Sequence, residues 1–104
     1  MGVESDATRE ATQRLRRRVA EWSSRLRLSP RVIRLHPMTR KWGSCSTSGI
    51  VTFAIDLAAY DERFQDLVIV HELLHLRVRN HGKLFRALMT AHVPHWRATQ
   101  ISTR

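Results

Sequence analysis

Apolar residues recur at helical spacing along the first quarter of the chain. Ala11, Leu15, Val19, Trp22 and Leu26 stand four, four, three and four residues apart, which marks one buried stripe on a helix. Arg14, Arg16, Arg17, Arg18 and Arg25 fall mostly off that stripe. The pattern predicts an amphipathic helix over residues 7–27, a prop packed on a sheet. Ser29-Pro30 should end it, because the residue before proline is driven out of the α region. The pattern then changes period. Val32, Ile33 and Leu35, closed by His36-Pro37, predict a first strand. Residues 40–46 offer a second, Thr47-Ser48-Gly49 a turn, and the β-branched run over residues 50–55 a third. These make a small antiparallel meander or a mixed sheet.

Residues 61–79 predict a second long helix, with Asp61 as N-cap and Glu62 in the first turn. Leu67, Val68, Ile69, Val70, Leu73, Leu74, Leu76 and Val78 cover nearly every side of it. A helix that is apolar all round belongs in the core. Asn80, His81 and Gly82 supply its closing turn, since Asn and Gly tolerate the left-handed conformation. A shorter helix over about 83–91 sets Leu84, Phe85, Leu88 and Met89 inward and ends by Pro94. From His95 onward the pattern is weak. The prediction is a single α+β domain over residues 1–104. An N-terminal helix and three strands pack on a central helix, with a cleft between sheet and helix, and a short helix follows.

The buried helix carries the chemistry. His71-Glu72-Leu73-Leu74-His75 is an H-E-x-x-H sequence. Residues four apart on a helix differ by one turn and about 40°, so both imidazoles reach one metal ion. Glu72 lies about 60° around from His75, where it can flank a metal-activated water and take its proton. Two histidines and a glutamate left unsatisfied in a core would carry a large desolvation cost, and a metal in a cleft accounts for all three. A catalytic zinc site usually has a third protein ligand. No Asp or Glu follows Glu72, so the ligand is a histidine or an upstream acid. His81 is the best placed, because the chain reverses there. The resulting H-E-x-x-H-x5-H has metzincin ligand spacing, with Val78 where those proteins have glycine. His92 and His95 are the alternatives.

Composition narrows the class. Of 104 residues, 42% are apolar and 26% charged, as in ordinary globular domains, and no apolar run approaches the ~20 residues of a membrane span. The stretch Met1–Asp6 is polar and lacks a signal-peptide core, so a cytoplasmic protein is expected. The one cysteine, Cys45, rules out an internal disulfide and a multi-cysteine zinc site; as a thiolate it could still add a fourth ligand. Net charge is +9. Residues 73–104 hold six basic groups and no acid, an end that could attract phosphate or acidic substrates. Nucleic acid is not expected as the primary partner, since interleaved aromatics and the usual binding motifs are missing.

The chain carries Arg40-x-Trp42-Gly43-Ser44-Cys45-Ser46, then Gly49-x-Val51, then Asp66 through Leu76, then Asn80-His81-Gly82-x-x-Phe85. In these segments it resembles the YgjP-like metallopeptidase domain family, zincins related to SprT-like proteins, over residues 31–97. The resemblance implies one zinc ion per chain, held by His71, His75 and His81, with Glu72 as catalytic base. It also implies a peptide or protein substrate. Gly82 stands where the family usually has Ser, and Arg86 where it usually has Trp. The helix over 7–27 takes the place of an additional N-terminal β region. In zincins generally, an edge strand before the active-site helix aligns an extended peptide, and residues 50–55 are the candidate. A cationic side chain should help the oxyanion, and Arg40, His92 and His95 are the candidates. Two alternatives use the same residues: a metal-dependent nucleotide phosphohydrolase, and a non-catalytic zinc-stabilised module binding through its basic face.

Overall fold

The structure is a computed structural model that describes residues 6–98. The order of elements is α1 (Asp6–Leu26), β1 (Val32–His36), β2 (Gly43–Cys45), β3 (Ile50–Ala54), a 3-10 turn (Ile55–Ala59), α2 (Glu62–Leu74), α3 (Lys83–His92) and a second 3-10 turn (Trp96–Ala98). The α+β class expected from the pattern is what the chain forms. No described helix is long and apolar enough to cross a membrane.

Helix α1 buries Leu15, Val19, Trp22 and Leu26, the stripe its spacing predicts. Its partners differ from expectation. It packs on the 3-10 turn and on α2 rather than on the sheet. The junction with α2 is polar at one point. Asp66 accepts from the Trp22 indole Nε1 at 2.8 Å and from Arg18, which also reaches Glu62. The end of α1 also differs. Arg27 stands at φ 57, Leu28 N donates to Ser23 O and Arg27 N to Ser24 O. This pair of bonds is a Schellman closure, made three residues before Pro30, so the proline is not what stops the helix.

The sheet is mixed, in the order β1-β3-β2. β1 runs parallel to β3, and β2 antiparallel, pairing Gly43 with Phe53 and Cys45 with Val51. Strand β3 therefore lies in the middle, which corrects the expectation that residues 50–55 offer a free edge. The physical reason is burial. Val51, Phe53 and Ala54 are fully covered, and the most apolar strand gains most from neighbours on both sides. The edge strand next to α2 is β2, shorter than the 40–46 segment predicted. The β2–β3 turn needs Gly49, which sits at φ 91, a region that costs other residues strain.

Helix α2 starts as the sequence predicts, with the Asp61 carboxylate accepting from Phe64 N at 2.8 Å. Leu67, Val68, Ile69, Val70, Leu73 and Leu74 are all buried. It ends at Leu74, five residues before the expected limit. Backbone bonds shift to the tighter i→i−3 pattern at His75, Leu76 and Arg77, and the chain turns away. Neither Asn80 nor Gly82 is left-handed; Gly82 has φ −77. The turn is held instead by Asn80 Oδ1 accepting from Gly82 N at 2.9 Å, a side chain standing in for a backbone turn. A Cβ on Gly82 would come within 2.8 Å of that same Oδ1. On α3, Phe85 and Met89 are buried as predicted, while Leu84 is 59% exposed.

A left-handed arginine costs roughly 1 kcal/mol that glycine does not. Arg27→Gly should therefore raise stability by about 0.5–1 kcal/mol, seen as a higher urea midpoint with an unchanged slope. A lower midpoint would contradict the Schellman assignment.

Candidate metal centre

Ending α2 at Leu74 places the last turn of the helix, its cap and the returning chain around one point. His71 lies inside the helix, His75 is its C-cap, and His81 comes back through the Asn80 turn. One nitrogen from each ring lies within 4.8 Å of the others. His75 Nε2 and His81 Nε2 are 3.0 Å apart. The buried face of α3 supplies the wall behind them. Phe85 stacks on His75 at 4.9 Å and 11°, and its ring centroid lies 5.2 Å from His71 and 4.7 Å from His81. The sequence shows Phe85 as a core residue; its position behind all three imidazoles requires the fold.

The donor set suits a metal ion. Val78 O can only accept, so the 2.9 Å contact from His75 Nδ1 fixes the proton on Nδ1 and leaves Nε2 as a lone pair. Glu72 Oε2 lies 3.2 Å from His71 Nδ1, and a carboxylate oxygen that accepts there leaves His71 Nε2 as the lone pair in the same way. Burial holds the His75 pKa below the ordinary imidazole range, with the Val78 carbonyl pulling the other way. The neutral form is the ligating form. Tetrahedral coordination at ~2.0–2.1 Å separates ligand nitrogens by about 3.4 Å, so small ring adjustments bring this triad to an ion.

Glu72 is only 7% exposed, yet it sits beside the histidine triad, 3.2 Å from His71 Nδ1, rather than in an apolar interior. Strand β2 makes this possible. A Cβ built on Gly43 would lie 2.7 Å from Glu72 Cγ and 3.1 Å from Thr52 O. Any side chain there would push the carboxylate or the strand away. The close approach of the Gly43 backbone to Glu72 is thus built into the fold. Trp42 itself is buried against Tyr60 and Phe64.

The other candidates lie elsewhere. His92 meets the edge of Trp22. His95 Nε2 donates to Arg63 O, and Arg63 is eight residues, or about 12 Å of helix, from His71. Neither joins the triad. Arg40 is exposed in the β1–β2 connection. Cys45 is not part of the cluster of possible ligands among the described residues. Burial pushes its thiol pKa up against the opposing pull of Arg79, which disfavours the thiolate a metal would need.

These residues are ordered as in a known group of proteins. The family model for the YgjP-like metallopeptidase domain matches residues 2–102. The chain belongs to the YgjP-like metallopeptidase family. The match takes in α1 as well as the 31–97 region that carries the motifs, and it makes this a peptidase-like hydrolase whose family implies a metal ion. No curated protein matches the chain. Among solved structures, the metallopeptidase zymogen jannalysin of Methanocaldococcus jannaschii is similar, with a TM-score of 0.57 at 20% identity over 86% of this chain and 83% of that one. That likeness is one of fold.

Four outcomes follow for this YgjP-like domain. Free imidazoles take up protons near pH 6.5, and each proton competes with the metal. Metal retention, read by elemental analysis after dialysis, should be near one ion per chain at pH 7.5 and should fall steeply below about pH 6. The unfolded chain protonates its histidine before the buried His75 does. Stability of the metal-free protein should therefore be greatest above pH 6.5 and decline as pH falls through the lowered His75 pKa. His81→Ala should lose the ion already at pH 7.5; undiminished retention would remove His81 from the site. Gly43→Ala should cost about 1–3 kcal/mol by overpacking against Glu72, and a neutral effect in urea unfolding would show that β2 can give way.

Proposed function

We propose that the chain is a zinc peptidase in which His71, His75 and His81 hold the ion and Glu72 is the general base. The observation that carries this reading is the convergence of three imidazoles beside one buried carboxylate, which Gly43 leaves room for. Three neutral nitrogen ligands with an open fourth position suit zinc among common ions. When bound, zinc supplies Lewis acidity that polarises a carbonyl and lowers the pKa of water to near 7.

The chain's own residues supply the rest. The Glu72 carboxylate takes a proton from water and passes it to the leaving amine, and its enclosure keeps bulk solvent from competing for that proton. His71 Nδ1–H orients this carboxylate. Phe85 fixes the ring planes of the triad and keeps the far side dry. The outer edge of β2 at Gly43, which faces Glu72, supplies backbone groups for an extended peptide to pair with, while the Cys45 carbonyl at the end of the strand is held by Arg79. Of the three cations considered for the oxyanion, we retain Arg40, which stands three residues before Gly43; His92 and His95 face other partners.

A mixture of unfolded proteins and a panel of nucleotides, each incubated with zinc-loaded protein and read by mass spectrometry, tests this. Peptide products are expected from the native protein. Their rate should fall by roughly 10²–10⁴-fold in Glu72→Gln, with metal content unchanged. Nucleotide hydrolysis that depends on Glu72, without peptide products, would replace the peptidase by a phosphohydrolase.

A further inference from the structure

An open cavity of about 320 Å³ lies at the far end of β2, between the β2–β3 turn and the segment that follows α2. Arg31 and Arg79 line it, with Ser46, Thr47, Ser48 and Leu76, and none of its lining residues is acidic. Both arginines are anchored to carbonyl oxygens. Arg31 Nε donates to Ser48 O at 3.0 Å. Arg79 donates to His75 O and Cys45 O, both at 2.8 Å, and to Ser46 O at 3.4 Å. Carbonyl partners fix the direction of a guanidinium without cancelling its charge. Among the described residues neither arginine forms an ion pair, whereas Arg18 on the opposite side of α2 has both Asp66 and Glu62. The floor is ordered as well: the Ser46 and Ser48 hydroxyls bond each other at 2.9 Å, and Ser46 Oγ accepts from Ile50 N.

The cavity is tied to the metal centre through Arg79. That side chain holds the backbone of His75, a triad member, and of Cys45, the last residue of the edge strand. Cys45 is two residues from Gly43, or about 7 Å of strand, and Gly43 faces Glu72. A peptide that pairs with this edge and presents its bond to Glu72 carries a side chain to the cavity within a few residues. Two oriented, uncompensated guanidinium groups with hydroxyl donors between them match a carboxylate.

We propose that this cavity is a substrate subsite for an acidic side chain, Asp or Glu, a few residues from the bond that is cut. The inference rests on the peptidase reading for its ligand and deepens it.

The test uses zinc-loaded full-length Glu72→Gln protein, which binds without cleaving, and labelled peptides of one length with amidated ends. Each carries a single Glu or Gln at successive positions, and binding is read by fluorescence anisotropy. One position should prefer Glu by roughly tenfold. Arg31→Glu, a change at an exposed side chain, should abolish that preference and favour Lys at the same position. Arg14→Glu on exposed α1 changes net charge equally and should weaken acidic peptides without altering the positional preference. Equal binding of Glu and Gln peptides at every position, or a preference untouched by Arg31→Glu, overturns the subsite. A preference seen only for peptides with a free C-terminal carboxylate overturns the side-chain assignment in favour of chain-end capture. Cleavage of the protein mixture by the native chain is scored separately. Acid-selective binding without any cleavage upholds the cavity as a site for an acidic side chain, but removes the peptidase reading and with it the cavity's place beside a bond that is cut.

Discussion

The rest of the structure depends on keeping α2 out of water. A short helix with apolar residues on nearly every side cannot be left in solvent, so α1, the sheet and α3 each cover part of it. α1 covers it through Trp22 and Arg18 on Asp66, the sheet through β2 and β3, and α3 through Phe85 and Met89. Enclosure sets a condition on each polar group the helix carries, because a buried polar atom without a partner costs several kcal/mol. At the N-terminal half the condition is met structurally. Gln65 Nε2 meets the carbonyls of Leu57, Ala58 and Tyr60, locking the 3-10 turn to the helix. At the C-terminal half the polar groups are two histidines and Glu72, and they face each other and His81. The same constraint thus gives a clamp at one end and a metal-binding constellation at the other.

Much of this was legible in the sequence because it rests on local rules. The stripe of α1, the Asp61 cap, the all-apolar α2 and the spacing of His71, His75 and His81 follow from helical periodicity and from where a chain can reverse. The parts that were not legible depend on pairings between distant segments. Residues 50–55 read correctly as a strand, but only the parallel pairing with β1 shows that it is central. The early end of α2 is invisible to a hydrophobic pattern, since Leu76 and Val78 continue the apolar run while packing from a turn. The closure of α1 at Arg27 misled the reading for a different reason. Arginine is a poor left-handed residue, so Pro30 was the stronger local signal.

Two residues with no chemistry of their own set the geometry of the centre. Gly43 lets the edge strand approach Glu72 more closely than any side chain would allow. Phe85 fills the space behind three imidazoles, and an apolar wall there keeps the local dielectric low. Gly43 lies about 30 residues before Glu72 and Phe85 about a dozen after it. The histidine motif alone specifies donors, and these two positions specify their spacing and their solvent.

Charge is sorted along the molecule in the same way. Asp61, Glu62 and Asp66 stand at the start of α2, where a helix N-terminus favours anions and Arg18 meets two of them. Glu72 is the last acid in the sequence, and six basic residues follow it. Held by three imidazoles, as proposed, a divalent ion would keep its full charge, where a carboxylate ligand would cancel part of it. One glutamate beside it would not neutralise such a site. A centre of this kind would keep a net positive field, and a positive field is what a developing oxyanion requires. The missing acids downstream of Glu72 are therefore part of the site's electrostatics and not only a feature of its surface.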